Sequence, residues 1–544
     1  MVNKANYLKN IRQRKGYSFA DYQPEIAIKS GYPVPDTRAV QTSLLVLAFI
    51  FYLSIFCVSS FSLSFLSTDT HWLTEKIGLA IFIGYIGLWR WSLFVIHYIR
   101  ALIYRTFVFP KLSKSAKKKI SSYIHPPLGI VFPTFKENPK ITREAISSIV
   151  LESKKLSRPV YLSVVSTEKE IASIGVLLTL LDPYGYYIRF LPTVDPSAGK
   201  RGALAVGLQA LRDKNFPLDG IIALMDGDSF VGENTFKTCL GFFMSNQRLG
   251  ALTTNEVSIC AGPKWFQTWL DIRFMQRHLS MMSFSLSKRV LCLTGRFSLF
   301  RAQIILDPSF IELIYNDSLN DWLWGKINFL SGDDKTSWYY TMKMGWDMIY
   351  IPNINVTTVE IIKGSGLQRL YQNLRRYAGN MLRNGTRVLS LNPFKIGLFL
   401  WHGILDQRIS MWTVLITPSL IILSICFGDY EITAVITLWL VFSRSTYLLS
   451  LFLISRRLPS SFICLPIILV TQWFNGLTKI YTLMFLNRQR WANRDKNSLG
   501  RSSEKLFTAR SIAATLILLL QFCLFANFMM FLYTSFLRAG VNAF

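Results

Sequence analysis

Residues 39–68 contain no charged side chain, and a run of that length spans a hydrocarbon core of about 30 Å as a single helix. A chain holding such a run must be built around a bilayer. A second apolar run, residues 77–98, is broken only by Arg90 and the neutral-leaning His97. Further runs cover residues 409–427, 432–454 (with Arg444), 461–486 and 511–537. The tail 1–38 is basic (Lys4, Lys9, Arg12, Arg14, Lys15), and Lys111, Lys114, Lys117, Lys118 and Lys119 follow the second run. The connector 69–76 between the two runs carries no basic excess, so the tail and residues 100–400 are expected inside. Asp429 and Glu431 mark an outer turn, and Arg456-Arg457 bring the chain back in. Residues 461–486 are followed by a basic stretch that is inside by the same rule, so they read as interfacial or re-entrant. About five spans result.

The chain divides into a basic tail (1–38), two N-terminal spans (39–99), a cytosolic domain (100–364), amphipathic interface helices (365–408) and C-terminal spans with interfacial helices (409–544). It is 51% hydrophobic with a formal charge of +28, which excludes a disordered chain. The basic residues lie mostly outside the apolar runs, so anionic lipid accounts for much of the charge. An acidic substrate is the next reading, and no nucleic-acid partner is expected. Seven cysteines are scattered without metal or disulfide spacing, as in a reduced compartment. The first apolar run begins only near residue 39, which leaves no visible cleavable signal.

From residue 128 the pattern becomes α/β. Apolar runs at 128–132, 160–165, 187–191 and 221–225 read as buried strands, separated by helical stretches such as 141–154 and 202–212. That alternation implies a mostly parallel sheet with its ligands at the C-terminal strand edges. Asp226-Gly227-Asp228 lies just past one such edge. Two carboxylates there can hold Mg²⁺ or Mn²⁺ against a diphosphate; the competing reading is an ordinary polar turn. Gly332-Asp333-Asp334 opens a helix-like run. Glycine allows close backbone approach, and a helix start accommodates acids, one of which can serve as a base. Asp and Gly also crowd turns for conformational reasons alone.

Other segments support two readings each. Lys200-Arg201 at a helix start reaches nucleotide phosphates or forms a solvated loop. Arg296, after Thr294-Gly295, faces a sugar or closes a structural turn. The segment 373–383, with Arg375, Arg376, Tyr377 and Arg383, offers paired donors to a diphosphate and an aromatic face to a sugar. It equally suits a helix lying on anionic lipid. Arg90 and Arg444 sit where charge is costly. Counted from the starts of their runs at about 1.5 Å per residue, they lie at similar depth, roughly 18–20 Å from the outer end. They either line a channel for an anionic chain or snorkel to the inner headgroups.

The order of strand-end Asp-x-Asp, Gly-Asp-Asp, Arg/aromatic helix and spans resembles the processive inverting family-2 glycosyltransferases. These are membrane synthases of cellulose, chitin, hyaluronan and alginate. Gln372-Asn-Leu-Arg375-Arg376 matches their Gln-x-x-Arg-Trp motif only in part, with Tyr377 near the tryptophan position. The segments Leu252-Thr-Thr-Asn-Glu256, Arg273-Phe-Met-Gln-Arg-His278, Leu293-Thr-Gly-Arg296, Gly332-Asp-Asp-Lys-Thr-Ser-Trp338 and Gly379-Asn-Met-Leu-Arg383 are similar to the catalytic mannuronan synthase subunit of bacterial alginate assembly. So are Asp406-Gln-Arg-Ile-Ser-Met-Trp412 and Lys479-Ile-Tyr481, and the likeness runs from about residue 77 to about 491.

The resemblance implies a GT-A (Rossmann-like) cytosolic domain in the bacterial inner membrane, polymerising GDP-mannuronic acid into an exported anionic polysaccharide. It implies Asp334 as general base beside Asp333, with Asp226 and Asp228 holding Mg²⁺ or Mn²⁺. The donor diphosphate falls to Lys200, Arg201, Asp226, Arg376 and Glu168. Tyr377, Arg296, Arg273, Arg277, His278 and Thr294 face the sugars, with Arg296 first and Arg273 or Arg277 second for a uronate carboxylate. A cyclic-di-GMP-binding PilZ co-polymerase is expected as a separate protein, since no PilZ-like motif is evident, together with envelope export proteins. A synthase using a neutral UDP-sugar and a non-catalytic transporter or scaffold are the alternatives.

Overall fold

The structure is a computed structural model that describes residues 87, 89–194, 199–362, 364–458, 463–489 and 509–533. The tail 1–38, the run 39–68 and the basic stretch 490–508 lie outside the described residues. The first described helix, α1 (Trp89–Ser122), leaves the apolar run and continues unbroken through the basic cluster. Its course includes a π-helical turn at Tyr104–Val108. Pro110 follows that turn, and proline cannot donate to the carbonyl four residues back.

The catalytic-side domain then alternates as the sequence predicts. The order is β1 (Leu128–Pro133), α2 (Pro139–Ser153), β2 (Val160–Ser166), α3 (Glu168–Leu181), β3 (Ile188–Val194), α4 (Gly199–Asp213), β4 (Ile221–Met225) and β5 (Ser229–Val231). Next come α5 (Thr235–Ser245), β6 (Leu249–Ala261), α6 (Lys264–Ser285), β7 (Phe297–Arg301), α7 (Ala302–Ile305) and α8 (Pro308–Tyr315). A hairpin, β8 (Ser318–Asp321) and β9 (Gly325–Asn328), leads to α9 (Asp333–Lys343) and β10 (Asp347–Ile361). The helical remainder is α10 (Gly366–Leu389), α11 (Pro393–Ile396), α12 (Leu398–Cys426), α13 (Tyr430–Ser455), α14 (Cys464–Met484) and α15 (Ala509–Tyr533).

The eight-stranded sheet runs β3-β2-β1-β4-β7-β6-β10-β5. It is more mixed than expected. The β3-β2-β1-β4 half and the β6–β10 pair are parallel. β7 lies antiparallel to both β4 and β6, and β5 antiparallel to β10. A return strand between β4 and β6 thus joins two parallel blocks, and β4 ends beside it. β1 and β4 are buried along their whole length, as strands covered on both faces must be.

Among the described residues, α1, α12, α13 and α15 are long and apolar enough to cross a membrane; α14 falls short of that mark. α12 begins well before the expected run, so Asp406 and Gln407 lie on the same continuous helix as the apolar residues 409–426. One apolar cluster unites the sheet core (Phe132, Leu224, Phe297) with Ile404 of α12, Leu448 and Leu451 of α13 and Ile468 of α14. Lower α1 packs on α5 through Phe109 and Phe242, and Tyr104 donates to the Tyr350 carbonyl at 2.8 Å. α1, α12, α13 and α14 therefore share one apolar core with the α/β layer.

Candidate active site

β4 carries its chain to Met225, and Asp226-Gly227-Asp228 turns over the strand end into β5. α4 starts at Gly199, earlier than the pattern indicated, so Lys200 and Arg201 occupy its first turn and point to different places. The Lys200 ammonium sits 2.7 Å from Asp226 Oδ1 and 2.8 Å from Asp333 Oδ2. It ties the β4 edge to the start of α9. Burial works against its charge, but Asp226 and Asp333 outweigh that and raise its pKa.

α9 opens at Gly332, whose φ of +90° belongs to the left-handed region. A Cβ there would lie 3.0 Å from the Asn380 side chain of α10, so glycine permits both the turn and the contact. Asp333 and Asp334 fill the first helical turn, where unpaired amides favour acids. Their environments differ. Burial pushes Asp333 upward, but Lys200, then Arg201, pull it below the usual carboxylate range. Burial first, then the Asp333 charge, raises Asp334 to about 6. Asp228 also rises to about 6, through burial and then the charge of Asp226.

Behind the α9 turn, Asp317 is buried and accepts from Thr336 Oγ1 at 2.5 Å and Arg387 Nη1 at 2.9 Å. Arg201 also lies against it, 3.3 Å away, and donates to the Ile314 carbonyl. Arg201 therefore holds the scaffold under α9 and does not line the cavity, a correction to its expected phosphate role. Two further expectations are corrected. His278 is buried between Asn255 and the Tyr350 hydroxyl; burial, then Arg457, lowers its pKa to about 3, so it packs as a neutral ring away from the cavity. Glu168 sits exposed at the start of α3, while Glu170, a turn-neighbour, accepts from the Glu137 amide at 3.0 Å.

The remaining candidates converge on one cavity of about 1610 Å³. Lys200, Asp226 and Asp228 line one end; Asp333, Asp334, Arg376 and Tyr377 line its middle with Thr294, Arg296, Arg273 and Arg277. The three arginines expected to face the sugars are not equivalent. Arg296 pairs with Glu256 at 2.6 Å and Arg277 with the same carboxylate at 3.6 Å. Arg273 instead stacks on the Tyr377 ring at 4.3 Å. The cavity continues between the membrane helices to Arg90 and Arg444. Arg90 pairs with Asp406 of α12 at 2.7 Å and donates to Thr413.

Glu256, Asp317 and Asp406 were missed as site and scaffold residues. Glu256 and Asp406 lie inside the segments that carried the family resemblance, which was the available signal; Asp317 has no local signature.

A mixed sheet with paired acids at a strand end, and a second acid pair opening a helix across the same cavity, define a nucleotide-sugar glycosyltransferase of the GT-A fold. The family model described as "Glycosyltransferase like family 2" matches residues 126–380. The chain belongs to glycosyltransferase family 2 and is an enzyme. It is 33% identical over 419 residues to the glycosyltransferase alg8 of Pseudomonas syringae pv. tomato, covering 76% of this chain and 84% of that protein. It is 30% identical over 433 residues to the glycosyltransferase alg8 of Azotobacter vinelandii, covering 77% and 85%. Among solved structures, a mannosyltransferase from Pyrobaculum calidifontis in complex with GDP-Man and Mn²⁺ aligns with 14% identity and a TM-score of 0.39, over 72% of this chain and 99% of that one. With its four spanning candidates the chain is a membrane protein.

Proposed function

We propose that the chain polymerises mannuronic acid, taking it from GDP-mannuronate, adding it in β-1,4 linkage to polymannuronate and feeding the product across the inner membrane from a cytosolic catalytic domain. One observation carries this reading: a single cavity runs from the paired acids of β4 past Asp334 to the basic groups of the membrane helices. The relatives named alg8 and the shared segments support the same substrate class.

Asp334 takes the proton from the acceptor O4 as that oxygen bonds the anomeric carbon. The bond from that carbon to the phosphate oxygen breaks, and GDP leaves with the electron pair on the opposite face, inverting the centre. A pKa near 6 keeps Asp334 ionised at neutral pH and still basic enough to share a proton. Asp226 and Asp228 would hold the divalent cation. Two crowded carboxylates, one with a raised pKa, fit a cation that takes its other ligands from diphosphate and water. When bound, it neutralises charge on the leaving group. Lys200 and Arg376 add fixed positive charge on the donor side. Arg273, the arginine of its trio not paired with Glu256, faces the uronate carboxylate. A separate PilZ-domain co-polymerase and export proteins complete the assembly. Membranes supplied with labelled GDP- and UDP-sugars test the assignment: label enters polymer from GDP-mannuronate, and incorporation from a UDP-sugar instead would overturn it.

A further inference from the structure

The membrane end of the cavity holds a lysine that no charge motif singles out. α14 turns Gln472, Asn475, Gly476 and Lys479 toward the cavity, a three-and-four spacing that forms one stripe along a helix. The stripe sits deep because α14 approaches α12 closely at Gly476. A Cβ there would lie 2.6 Å from Val414 and 3.1 Å from the Met411 carbonyl. Lys479, one turn further on, is half-buried and lines the same cavity. It has no hydrogen-bond or ion-pair partner among the described residues. Asp406 is already engaged by Arg90 at 2.7 Å. Gln472 Nε2 and Arg444 Nε are buried without partners as well.

A half-buried ammonium set among membrane helices without a counter-ion is costly. Such an arrangement persists where a ligand supplies the anion. Here Lys479, Gln472 and Arg444 line the same space, and Asp406 of α12 is already paired with Arg90.

We propose that Lys479, with Gln472 and Arg444, forms a subsite that binds a carboxylate of the acidic glycan behind the acceptor sugar, where α13 and α14 line the cavity. The inference rests on the acid-sugar reading and adds to it a residue that selects the acceptor. Lys479 touches no reacting atom. It holds the chain by charge while Asp334 works on the terminal hydroxyl, and a neutral glycan offers it nothing.

The test uses the full-length protein in detergent with mannuronate oligosaccharides, their carboxyl-reduced counterparts, and the variants Lys479→Gln and Lys479→Arg. A charge-assisted hydrogen bond corresponds to roughly tenfold or more in affinity. Wild type is expected to show a KM for the acidic oligosaccharide roughly tenfold below that for the reduced one. Lys479→Gln erases most of that difference without changing GDP affinity, and Lys479→Arg restores it. A wild type that does not distinguish the two oligosaccharides overturns the acid-sugar reading. A Lys479→Gln protein that keeps the distinction overturns the subsite alone. Equal loss of GDP affinity in Lys479→Gln, unrelieved by arginine, marks a structural defect and also overturns it. A measurement on unaltered protein stands beside these: acetylation of Lys479, read by mass spectrometry, is slowed by the acidic oligosaccharide and not by the reduced one. Protection by anionic lipid and not by the oligosaccharide counts against the proposal.

Discussion

The two ends of the cavity handle charge in opposite ways. Around the β4 edge cations and acids are held together: Lys200 bridges Asp226 and Asp333, and Arg296 and Arg277 share Glu256. Between the membrane helices only Arg90 has an acid, Asp406, while Arg444 and Lys479 have none among the described residues. Paired charges hold a geometry before substrate arrives. Unpaired positive charge in a low-dielectric lining does little for geometry and much for attracting an anion. On the proposed function, one end orders the reaction and the other receives its product.

The comparison breaks most severely at the base. Asp334→Asn keeps the shape of the α9 turn and removes proton acceptance, so turnover should fall roughly 10²–10⁴-fold with GDP binding intact; near-normal turnover would remove Asp334 from the mechanism. Asp228→Asn is the next largest. It should raise the Mg²⁺ needed for half-maximal activity by roughly tenfold or more and weaken GDP binding, which Asp334→Asn should not do. GDP binding to wild type that is equal with and without EDTA would refute the metal role. At the other end, Arg90→Met combined with Arg444→Met should leave early GDP release near wild type and shorten the exported polymer. Full-length polymer at the wild-type rate would leave the two arginines only a role at the lipid headgroups. The smallest effect is on pH. Protonated Asp334 accepts nothing, so kcat/KM should fall as pH drops through about 6. Asp333→Asn removes the charge that, after burial, raises Asp334, so that acid limb should move to lower pH; a stationary limb assigns it to another group.

Much of this organisation was legible in the residues. Strands such as 128–132 and 221–225 are apolar throughout because both faces are covered, and a period-free apolar run bounded by turns shows it. Asp226-Gly227-Asp228 and Gly332-Asp333-Asp334 were readable because each follows or opens an element. β6 and β10 escaped notice for a physical reason. β6 buries Thr253, Thr254, Asn255 and Glu256 in its interior, so the strand that lines the site reads as polar. Arg201 and Lys200 are adjacent with the same charge, and only the start of α4 at Gly199 sends one to the cavity and the other to Asp317. The Arg90–Asp406 pair joins residues distant in the chain, and no local pattern records such a contact. His278 shares with Arg273 and Arg277 a segment that carries the family resemblance, yet its side of α6 faces the core.

The central claim is that one cavity transfers a uronic acid and accepts the acidic chain that results. Purified protein given GDP-mannuronate as sole donor, with Mg²⁺, tests it most directly, with GDP release and polymer mass followed in the same sample. The account predicts that GDP appears together with a polyanionic polymer, one GDP for each sugar added, and that Asp334→Asn abolishes both. GDP release without polymer, or polymer made only when a UDP-sugar is supplied, would contradict it.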